Sequence, residues 1–213
     1  MSSIPGGARP YDDGLIHAML ASRAWRTLGR QQERNRAQFA LRIATGCRVS
    51  ECCALRIGDV VNERLELRTH LVIPSRKRQK GRIVAPWAKY YYDYLAPYIA
   101  RIIPRCADPR AFLSDPLFVG YGGKPISEDM ISRIDHAAHR ELGLTGYATH
   151  STRKTWAVHI YRSTVSRNRV SGISMDPFAT LRNIGGWQSY TSVVAYISRW
   201  VGDYEGIERG DYD

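Results

Sequence analysis

Hydrophobic side chains recur at helical spacing along most of this 213-residue chain. In the first such segment, residues 15–25, they follow Asp12 or Asp13, either of which can cap a helix. A second segment, residues 37–45, precedes Gly46, and glycine often ends a helix because it adopts the left-handed conformation at little cost. Ser50 is the expected N-cap of a third, short helix. The pattern therefore predicts a helical beginning.

Between Arg64 and Ile73 the period changes to two, because every second side chain is apolar. This alternation predicts a half-buried β-strand. A basic turn over residues 75–81 follows, and residues 83–86 predict the antiparallel return strand of a hairpin. The sequence therefore predicts one small antiparallel sheet.

Helical spacing returns after the hairpin. The further predicted helices cover residues 87–103, 127–142, 151–162, 178–184 and 191–199. Pro97 predicts a kink or break in the first of them, because proline lacks the amide hydrogen that a helix needs. The polar stretch 163–176 predicts a loop. The predicted fold class is mainly α, formally α+β, with one small antiparallel β-sheet.

The charge of the chain is strongly positive, since 31 Lys and Arg residues against 20 Asp and Glu give a net charge of +11. A basic excess of this size suits a polyanion such as nucleic acid. A soluble protein with a basic, solvated surface has the same composition. The charge therefore favours nucleic acid as a partner without excluding an ordinary basic surface.

The four cysteines show none of the spacings typical of metal ligands; they are Cys47, Cys52, Cys53 and Cys106. We expect reduced, mostly buried thiols, as in cytoplasmic proteins. No apolar run approaches the roughly 20 residues of a membrane span, and the N-terminus lacks the pattern of a signal peptide. The expected location is the cytoplasm, with no membrane partner.

Basic residues at two junctions of predicted elements could bind a phosphate. Arg48 lies between the end of one helix and the beginning of the next, with Glu51 close enough to steady its guanidinium. His150 and Arg153 share one face of a predicted helix, and Lys154 adds a candidate DNA-binding cation beside them. Each feature also has a structural interpretation, as a salt bridge at a helix corner or as a capping histidine.

The tip of the predicted hairpin, residues 75–82, carries a cluster of cations, Arg76, Lys77, Arg78, Lys80 and Arg82. A hairpin tip of this kind can enter a DNA groove, and one of its lysines can act as a general acid. A solvated turn that protects a sheet edge is the structural alternative. Lys77 is the candidate for the acid, with Lys80 in reserve. The remaining cations are candidate DNA contacts.

Trp187 and Tyr196 would each be assigned to the core if taken alone, since the chain has 13 tyrosines. Their interpretation changes with the order of the other candidates. Arg48 comes first, then a hairpin lysine, then the histidine–arginine pair, then the tryptophan and, nine residues later, the tyrosine. In this order the chain resembles the catalytic domain of the tyrosine recombinase (phage integrase) family.

The resemblance rests on several motifs that occur in sequence, each of them weak alone. The T-G-x-R-x-S-E segment of the family is matched by residues 45–51, and its H-x-x-R box by residues 150–153. The family carries its lysine on a hairpin, where Lys77 stands. It places a His or Trp nine residues before the nucleophile, where Trp187 precedes Tyr196.

The resemblance implies a strand-transfer reaction that needs no metal or other cofactor. Tyr196 would attack a DNA phosphodiester and form a 3′-phosphotyrosine bond, which keeps the bond energy for rejoining. Arg48 and Arg153 would stabilise the charge on the non-bridging oxygens. The hairpin lysine would protonate the departing 5′ oxygen, and His150 would assist proton transfer at the tyrosine. Trp187 would position the phosphate through its indole N–H.

The resemblance also implies partners and a division of the chain. The partner is double-stranded DNA, which the protein would bind as a homotetramer. When free of DNA, the protein would be a monomer or a weak oligomer. We expect a flexible tail over residues 1–11 and a catalytic domain over residues 12–199. An acidic tail over residues 200–213 is either exchanged between subunits or folded back. The family's separate N-terminal DNA-clamping domain has no match in these residues, which truncation or supply by a partner would equally explain.

Two other functions suit the same residues. A DNA-binding accessory protein of this fold would lack catalysis, although every catalytic position here is filled by a competent residue. A type IB topoisomerase-like nicking–closing enzyme uses the same residue types, but the H-x-x-R box and the Trp-to-Tyr interval resemble the recombinases more closely. The sequence therefore predicts a site-specific recombinase or integrase, without indicating its DNA site.

Overall fold

A computed structural model describes residues 7–26, 31–74, 81–103 and 112–202. Within these ranges the α-helices are α1 Asp13–Ala21, α2 Gln32–Thr45, α3 Val49–Ala54, α4 Ile57–Val60, α5 Ala88–Ile102, α6 Glu128–Glu141, α7 Ser151–Ser171, α8 Pro177–Gly185 and α9 Tyr190–Val201. Two strands, β1 Leu71–Ile73 and β2 Arg82–Val84, form an antiparallel sheet. The predicted class, mainly α with one small antiparallel sheet, is confirmed. None of the helices in the described part is long and apolar enough to cross a bilayer.

Helix α2 forms the centre of the core. Every residue from 37 to 45 is buried, because α5 packs along one side of this helix and α7 along another. A helix that is covered on all sides has no solvent-facing stripe, and its polar residues must find partners inside the protein. The end of α2 is therefore held firmly, and the candidate site begins there.

One buried ion pair joins three elements of this core. Arg42 of α2 donates through both terminal nitrogens to the carboxylate of Asp135 on α6, at 2.7 and 2.9 Å. Its Nε donates to Gln38 at 2.9 Å, and its Nη1 lies 3.4 Å from the carbonyl oxygen of Thr149, just before α7. Both charged side chains are fully buried. The pair therefore connects α2, α6 and the beginning of α7.

The predicted strand over residues 64–73 is wrong for most of its length, because only β1 pairs with a neighbouring strand. The side chain of Asn62 accepts hydrogen bonds from the backbone N–H groups of Arg64 (2.9 Å) and Glu66 (3.0 Å). Between them, Leu65 has a positive φ of 62°. An asparagine that replaces backbone partners in this way makes a turn. The apolar alternation in this segment therefore belongs mainly to a turn.

The predicted loop over residues 163–176 is wrong for residues 163–171, because α7 continues to Ser171. Before Gly172 this stretch has neither glycine nor proline, and the hydroxyl of Thr164 bonds back to a carbonyl of the preceding turn. Gly172 then ends the helix in the left-handed conformation. Asn168 closes the following turn by bonding to both the N–H and the C=O of Met175.

Helix α5 runs through Pro97 without the predicted break. Proline removes the hydrogen bond to the carbonyl of residue 93. Asp93 and Pro97 are both exposed, so this carbonyl lies on the solvent side of the helix, where water can bind it. The missing hydrogen bond is therefore tolerated.

The described ends of the chain are packed against the rest of the protein. The N–H of Arg9 donates to the carbonyl of Gly146 at 2.9 Å, and the N–H of Tyr11 donates to Thr155 at 2.8 Å. Tyr11 is buried, and its hydroxyl bonds to His139 at 2.6 Å. At the other end, α9 continues to Val201. Residues 7–11, which the sequence assigned to a flexible tail, therefore contact α6 and α7.

Candidate active site

Arg48 lies at the junction of α2 and α3. Helix α2 ends at Thr45, and its C-cap, Gly46, has a φ of 61°. A Cβ at this position would lie 2.3 Å from the ring of Trp156, so only glycine fits. Arg48 is the N-cap of α3, which begins at Val49, so the expectation that Ser50 caps this helix is wrong. The side chain of Arg48 is 41% exposed. Part of its guanidinium therefore faces solvent.

Glu51 holds this arginine in place. Its carboxylate accepts hydrogen bonds from the Nη1 of Arg48 at 2.7 Å and from the backbone N–H of the same residue at 2.8 Å. A third bond comes from the Nη2 of Arg82 at 3.1 Å. Burial opposes ionisation of Glu51, but the charges of Arg82 and the bonds from Arg48 outweigh it and lower its pKa. Glu51 is therefore an anion at neutral pH.

Arg153 lies in the first turn of α7 and is buried. Its Nη1 donates to the carbonyl of Gly46 at 2.5 Å, and its Nη2 donates to the carbonyl of Gly185 at 2.7 Å. Burial, and then the charges of Arg82 and Arg48, lower the pKa of Arg153 to about 10. The guanidinium stays protonated at neutral pH. It is hydrogen-bonded to the C-cap residue of α2 and to the last residue of α8.

His150 occupies the N-cap position of α7, with its side chain exposed. Desolvation by the surrounding protein lowers the pKa of His150, and the charges of Arg153 and Arg48 lower it further. A neutral imidazole can accept a proton. The positive end of the helix dipole also lies at this residue, and it favours an anion in front of α7.

Trp187 follows a tight turn at the end of α8. Gly186 has a φ of 71°, and this turn places the indole of Trp187 over the guanidinium of Arg153, 4.3 Å from the guanidinium carbon to the ring centre. A Cβ on Gly185 would lie 1.8 Å from the indole. The ring centre of Trp187 lies 5.3 Å from that of Tyr196. The tryptophan therefore bridges the arginine and the tyrosine.

Tyr196 lies on α9 and turns its ring towards these cations. Its hydroxyl oxygen is buried and has no hydrogen-bond partner among the described residues. Burial raises the pKa of Tyr196, while the charges of Arg153 and Arg48 act in the opposite direction. Buried hydroxyl groups are nearly always hydrogen-bonded, and an exception of this kind is common at a reactive site. The residue as a whole is half-buried.

Lys154 is buried rather than displayed on the surface. Its ammonium lies 4.9 Å from the ring centre of Tyr196 and 5.6 Å from that of Trp200. Burial and the charge of Arg199 lower the pKa of Lys154. A cation over an aromatic face attracts the ring, so Lys154 holds α9 against α7 as well as adding positive charge near the nucleophile.

The predicted hairpin cations divide into two groups. Four of them, Arg76, Lys77, Arg78 and Lys80, lie outside the described residues. Arg82 belongs to β2, and its side chain points into the site instead of towards solvent, as its bond to Glu51 shows. The sequence grouped Arg82 with the DNA contacts. Strand alternation could have indicated its direction, because Val84, two residues on, is buried on the same face.

The assembled site has an excess of positive charge. Arg48, Arg82 and Arg153 converge on it. Glu51 bonds to the first two, and it is the one carboxylate among the described residues that bonds to any of the three. Guanidinium forks match the oxygens of a phosphate, and such charge-assisted bonds are strong. Within the described ranges, no group of three His, Cys, Asp or Glu side chains is placed to hold a metal ion. The arrangement is therefore suited to binding a phosphate.

Sequence comparison gives one family and a set of relatives. Residues 16–199 match the phage integrase family. Tyrosine recombinase XerC of Halalkalibacterium halodurans is 33% identical over 132 residues, which are 61% of this chain and 42% of that protein. Tyrosine recombinase XerS of Lactococcus lactis subsp. cremoris is 29% identical over 176 residues, which are 78% of this chain and 45% of that protein. The chain thus spans less than half the length of these curated relatives.

Solved structures show the same fold. The crystal structure of XerA recombinase superposes with a TM-score of 0.64 at 20% identity and covers 97% of this chain and 67% of that one. XerH bound to its difH substrate in a pre-cleavage complex gives a TM-score of 0.62 at 16% identity, over 89% of this chain and 50% of that one. A lambda integrase dimer bound to a COC′ core site gives 0.59 at 15%, over 96% and 51%.

The resemblance inferred from the ordered motifs is thereby confirmed from two directions, by sequence and by fold. The match begins within α1 and ends within α9, so it includes each described residue of the site. The chain belongs to the phage integrase family, whose relatives here are named tyrosine recombinases.

Proposed function

We propose that this chain cleaves and rejoins double-stranded DNA at specific sites through a 3′-phosphotyrosine intermediate. The observation that carries the proposal is the convergence of Arg48 and Arg153, far apart in sequence, around the ring of Tyr196. Arg153 bonds to a carbonyl two residues before Arg48, and its guanidinium is stacked on the indole that contacts the tyrosine. Both arginines also act on the pKa of Tyr196.

Each step of the reaction has a residue that can perform it. The phenolic oxygen of Tyr196 attacks the phosphorus, its proton passes to His150 or water, and the bond from phosphorus to the 5′ oxygen breaks. The arginines offset the charge that develops on the non-bridging oxygens. A hairpin lysine, Lys77 or Lys80, protonates the departing 5′ oxygen. A 5′ hydroxyl then attacks the phosphotyrosine and restores the phenol.

The proposed partner is duplex DNA, bound by four subunits on two duplexes. The solved structures support the DNA partner, because XerH was solved on its difH substrate and a lambda integrase dimer on a core site. The net charge of +11 supports a polyanionic partner independently. The proposed location is the cytoplasm, where the DNA is.

The experiment traps the covalent intermediate on cellular DNA, so the target sequence does not have to be chosen beforehand. Cells expressing the full chain are lysed in denaturant, the protein is captured by a tag, and the attached DNA is sequenced. The Tyr196→Phe variant is the test. Tyr190→Phe is the matched control, since it makes the same substitution on the same helix, α9.

We expect adducts at a few shared sequences for the wild type and for Tyr190→Phe, and none for Tyr196→Phe. Adducts spread over DNA without a preferred sequence, with relaxation of supercoiled plasmid, would indicate the topoisomerase-like activity instead. DNA binding with no adduct from any variant would indicate an accessory protein and would exclude strand cleavage.

A further inference from the structure

The side chain of Arg82 is unusual for a residue in a basic hairpin. It is 11% exposed. Its Nη2 donates to the carbonyl of Gly46 at 3.2 Å and to the carboxylate of Glu51 at 3.1 Å. The Nε and Nη1 are buried and have no partner among the described residues. A Cβ on Gly186 would lie 3.2 Å from the Cδ of Arg82, so the side chain also lies against the turn before Trp187.

Both acceptors of Arg82 are shared with the two arginines of the proposed reaction. The carbonyl of Gly46 also accepts the bond from Arg153, and the carboxylate of Glu51 also accepts the bonds from Arg48. Within the described residues, Arg82 is the one side chain that bonds to the acceptors of both. A movement of Arg82 would therefore change the surroundings of both guanidinium groups at once.

A direct DNA contact explains this geometry poorly. The next residue, Ile83, is 64% exposed, and alternation along the strand places it on the opposite face from Arg82. A guanidinium that contacts a phosphate on the outer face would share the exposure of Ile83. Burial instead lowers the pKa of Arg82, and the charge of Arg48 acts in the same direction. A third cation, itself largely buried, beside a single carboxylate is an unfavourable arrangement for folding alone.

We propose that Arg82 is a positioning residue for strand cleavage, which fixes Glu51 and the carbonyl of Gly46 so that Arg48 and Arg153 face the same phosphate. This inference rests on the proposed function. It assigns to a hairpin residue an effect on the chemical step rather than on DNA affinity. The distinction is measurable, because a DNA contact and a positioning contact change different quantities.

The test compares Arg82→Met with Arg64→Met, which removes the same charge from an exposed turn. The DNA is a nicked duplex carrying the sequence recovered from trapped adducts. Two quantities are measured: the dissociation constant with its salt dependence, and the rate of adduct formation at saturating DNA. We expect Arg82→Met to lose about 100-fold in this rate, a typical loss when transition-state stabilisation of an oxyanion is impaired. We expect less than about a threefold change in affinity and no change in rate for Arg64→Met.

If Arg82 instead contacts DNA, the substitution should change affinity and leave the rate unchanged. Affinity would fall, the salt slope would decrease by about one, and the rate at saturation would stay the same. That result would overturn the proposal. If the wild type forms no adduct, the proposed function itself fails. If the wild type forms adducts and Arg82→Met forms them equally fast, the inference about Arg82 fails and the proposed function stands.

A charge-neutral substrate separates positioning from general loss of structure. A methylphosphonate at the scissile position removes the charge that Arg48 and Arg153 stabilise, so the ratio between wild-type and Arg82→Met rates is expected to shrink towards one. A variant that is merely misfolded would keep its full defect. Arg82→Lys provides the second variant if Arg82→Met unfolds. We expect it to recover only about tenfold of the lost rate of adduct formation, because an ammonium lacks the fork of a guanidinium. An unchanged ratio with both variants would overturn the proposal.

Discussion

Gly185 has no Cβ, and this allows the indole of Trp187 to lie beside Arg153. A Cβ there would be 1.8 Å from the ring, which is impossible without displacing the tryptophan. The carbonyl of the same residue accepts a bond from Arg153. Gly185 therefore shapes the site in two ways: it has no side chain to displace Trp187, and its carbonyl binds Arg153.

We predict that Gly185→Ala slows adduct formation by at least about tenfold and costs about 1–3 kcal/mol of stability, as is usual for an overpacked position. The measurements are the single-turnover rate and urea-induced unfolding. Gly14→Ala is the control, because this glycine is also helical but exposed, and its Cβ would have only an ordinary contact at 3.4 Å. Equal behaviour of the two variants would contradict the assigned packing of Trp187.

We predict a pH-dependent effect of Glu51→Gln on stability. The folded-state pKa of Glu51 lies below its ordinary value. Its contribution to the free energy of unfolding is therefore complete above the unfolded pKa of about 4.3 and is lost as the pH falls through the folded pKa. Urea unfolding at several pH values should show the variant less stable near pH 7 and progressively closer to the wild type below about pH 4. A difference that is independent of pH would count against an ionised Glu51.

At the scale of elements, the ion pair between Arg42 and Asp135 sets the relation of α2 to α6. Both side chains are fully buried, and Arg42 also reaches the residue before His150. Pairs of this kind contribute little net stability compared with an apolar core, but removal of one partner leaves a buried charge without compensation. The pair therefore fixes the arrangement of helices around the site.

We predict that Asp135→Asn lowers the free energy of unfolding by about 3–5 kcal/mol. Asp129→Asn on the same helix is the matched control. Its partner is Arg133 at 2.6 Å, but both side chains are about 70% exposed, so a change of at most about 1 kcal/mol is expected. Urea-induced unfolding of both variants gives the comparison. A small loss for Asp135→Asn would mean that the pair is not the link between the helices.

The elements differ in how far the sequence predicted them. Helix α1 was predicted with a cap, because Asp12 makes the expected side-chain bond, and α6 was predicted within one residue of its observed ends. The hairpin was also predicted, and its register pairs Val72 with Ile83. The turn over residues 64–70 was not predictable from period alone, since the hydrogen bonds of Asn62 decide it. Polar composition similarly concealed the last turns of α7, whose side chains face solvent.

At the scale of the whole molecule, positive charge outside the site adds to the DNA affinity that the site itself provides. The chain carries a net charge of +11, and only part of it belongs to the arginines near Tyr196. Neutralised phosphates release counterions, and this release makes the affinity for DNA depend on salt.

We predict that the logarithm of the DNA association constant falls linearly with the logarithm of salt concentration, by about 0.9 for each phosphate neutralised. Fluorescence anisotropy between about 50 and 200 mM salt measures the slope. Thermal unfolding in the same buffers serves as the control for a change in the protein. An affinity that does not depend on salt would exclude an extended phosphate contact.

The sequence pattern could not predict how residues that are far apart in the chain come together at the site. The motif order named Arg48, His150, Arg153, Trp187 and Tyr196 as candidates, and the fold brings all five together. The inward direction of Arg82 escaped the sequence analysis because five cations in one turn suggest a solvent-exposed cluster. The hydroxyl of Tyr196 lacks a hydrogen-bond partner among the described residues, and this depends on tertiary packing, which no periodicity encodes.

The carbonyl of Gly46 accepts hydrogen bonds from two guanidinium groups, and a main-chain oxygen is present whatever the side chain. Substitutions elsewhere in the chain therefore leave this anchor chemically intact as long as the turn keeps its shape. Redesign of target preference can then concentrate on the outward-facing cations and the hairpin, while the backbone anchor of Arg82 and Arg153 stays in place. Directed evolution towards a new DNA sequence should accordingly enrich changes far from residues 45–47.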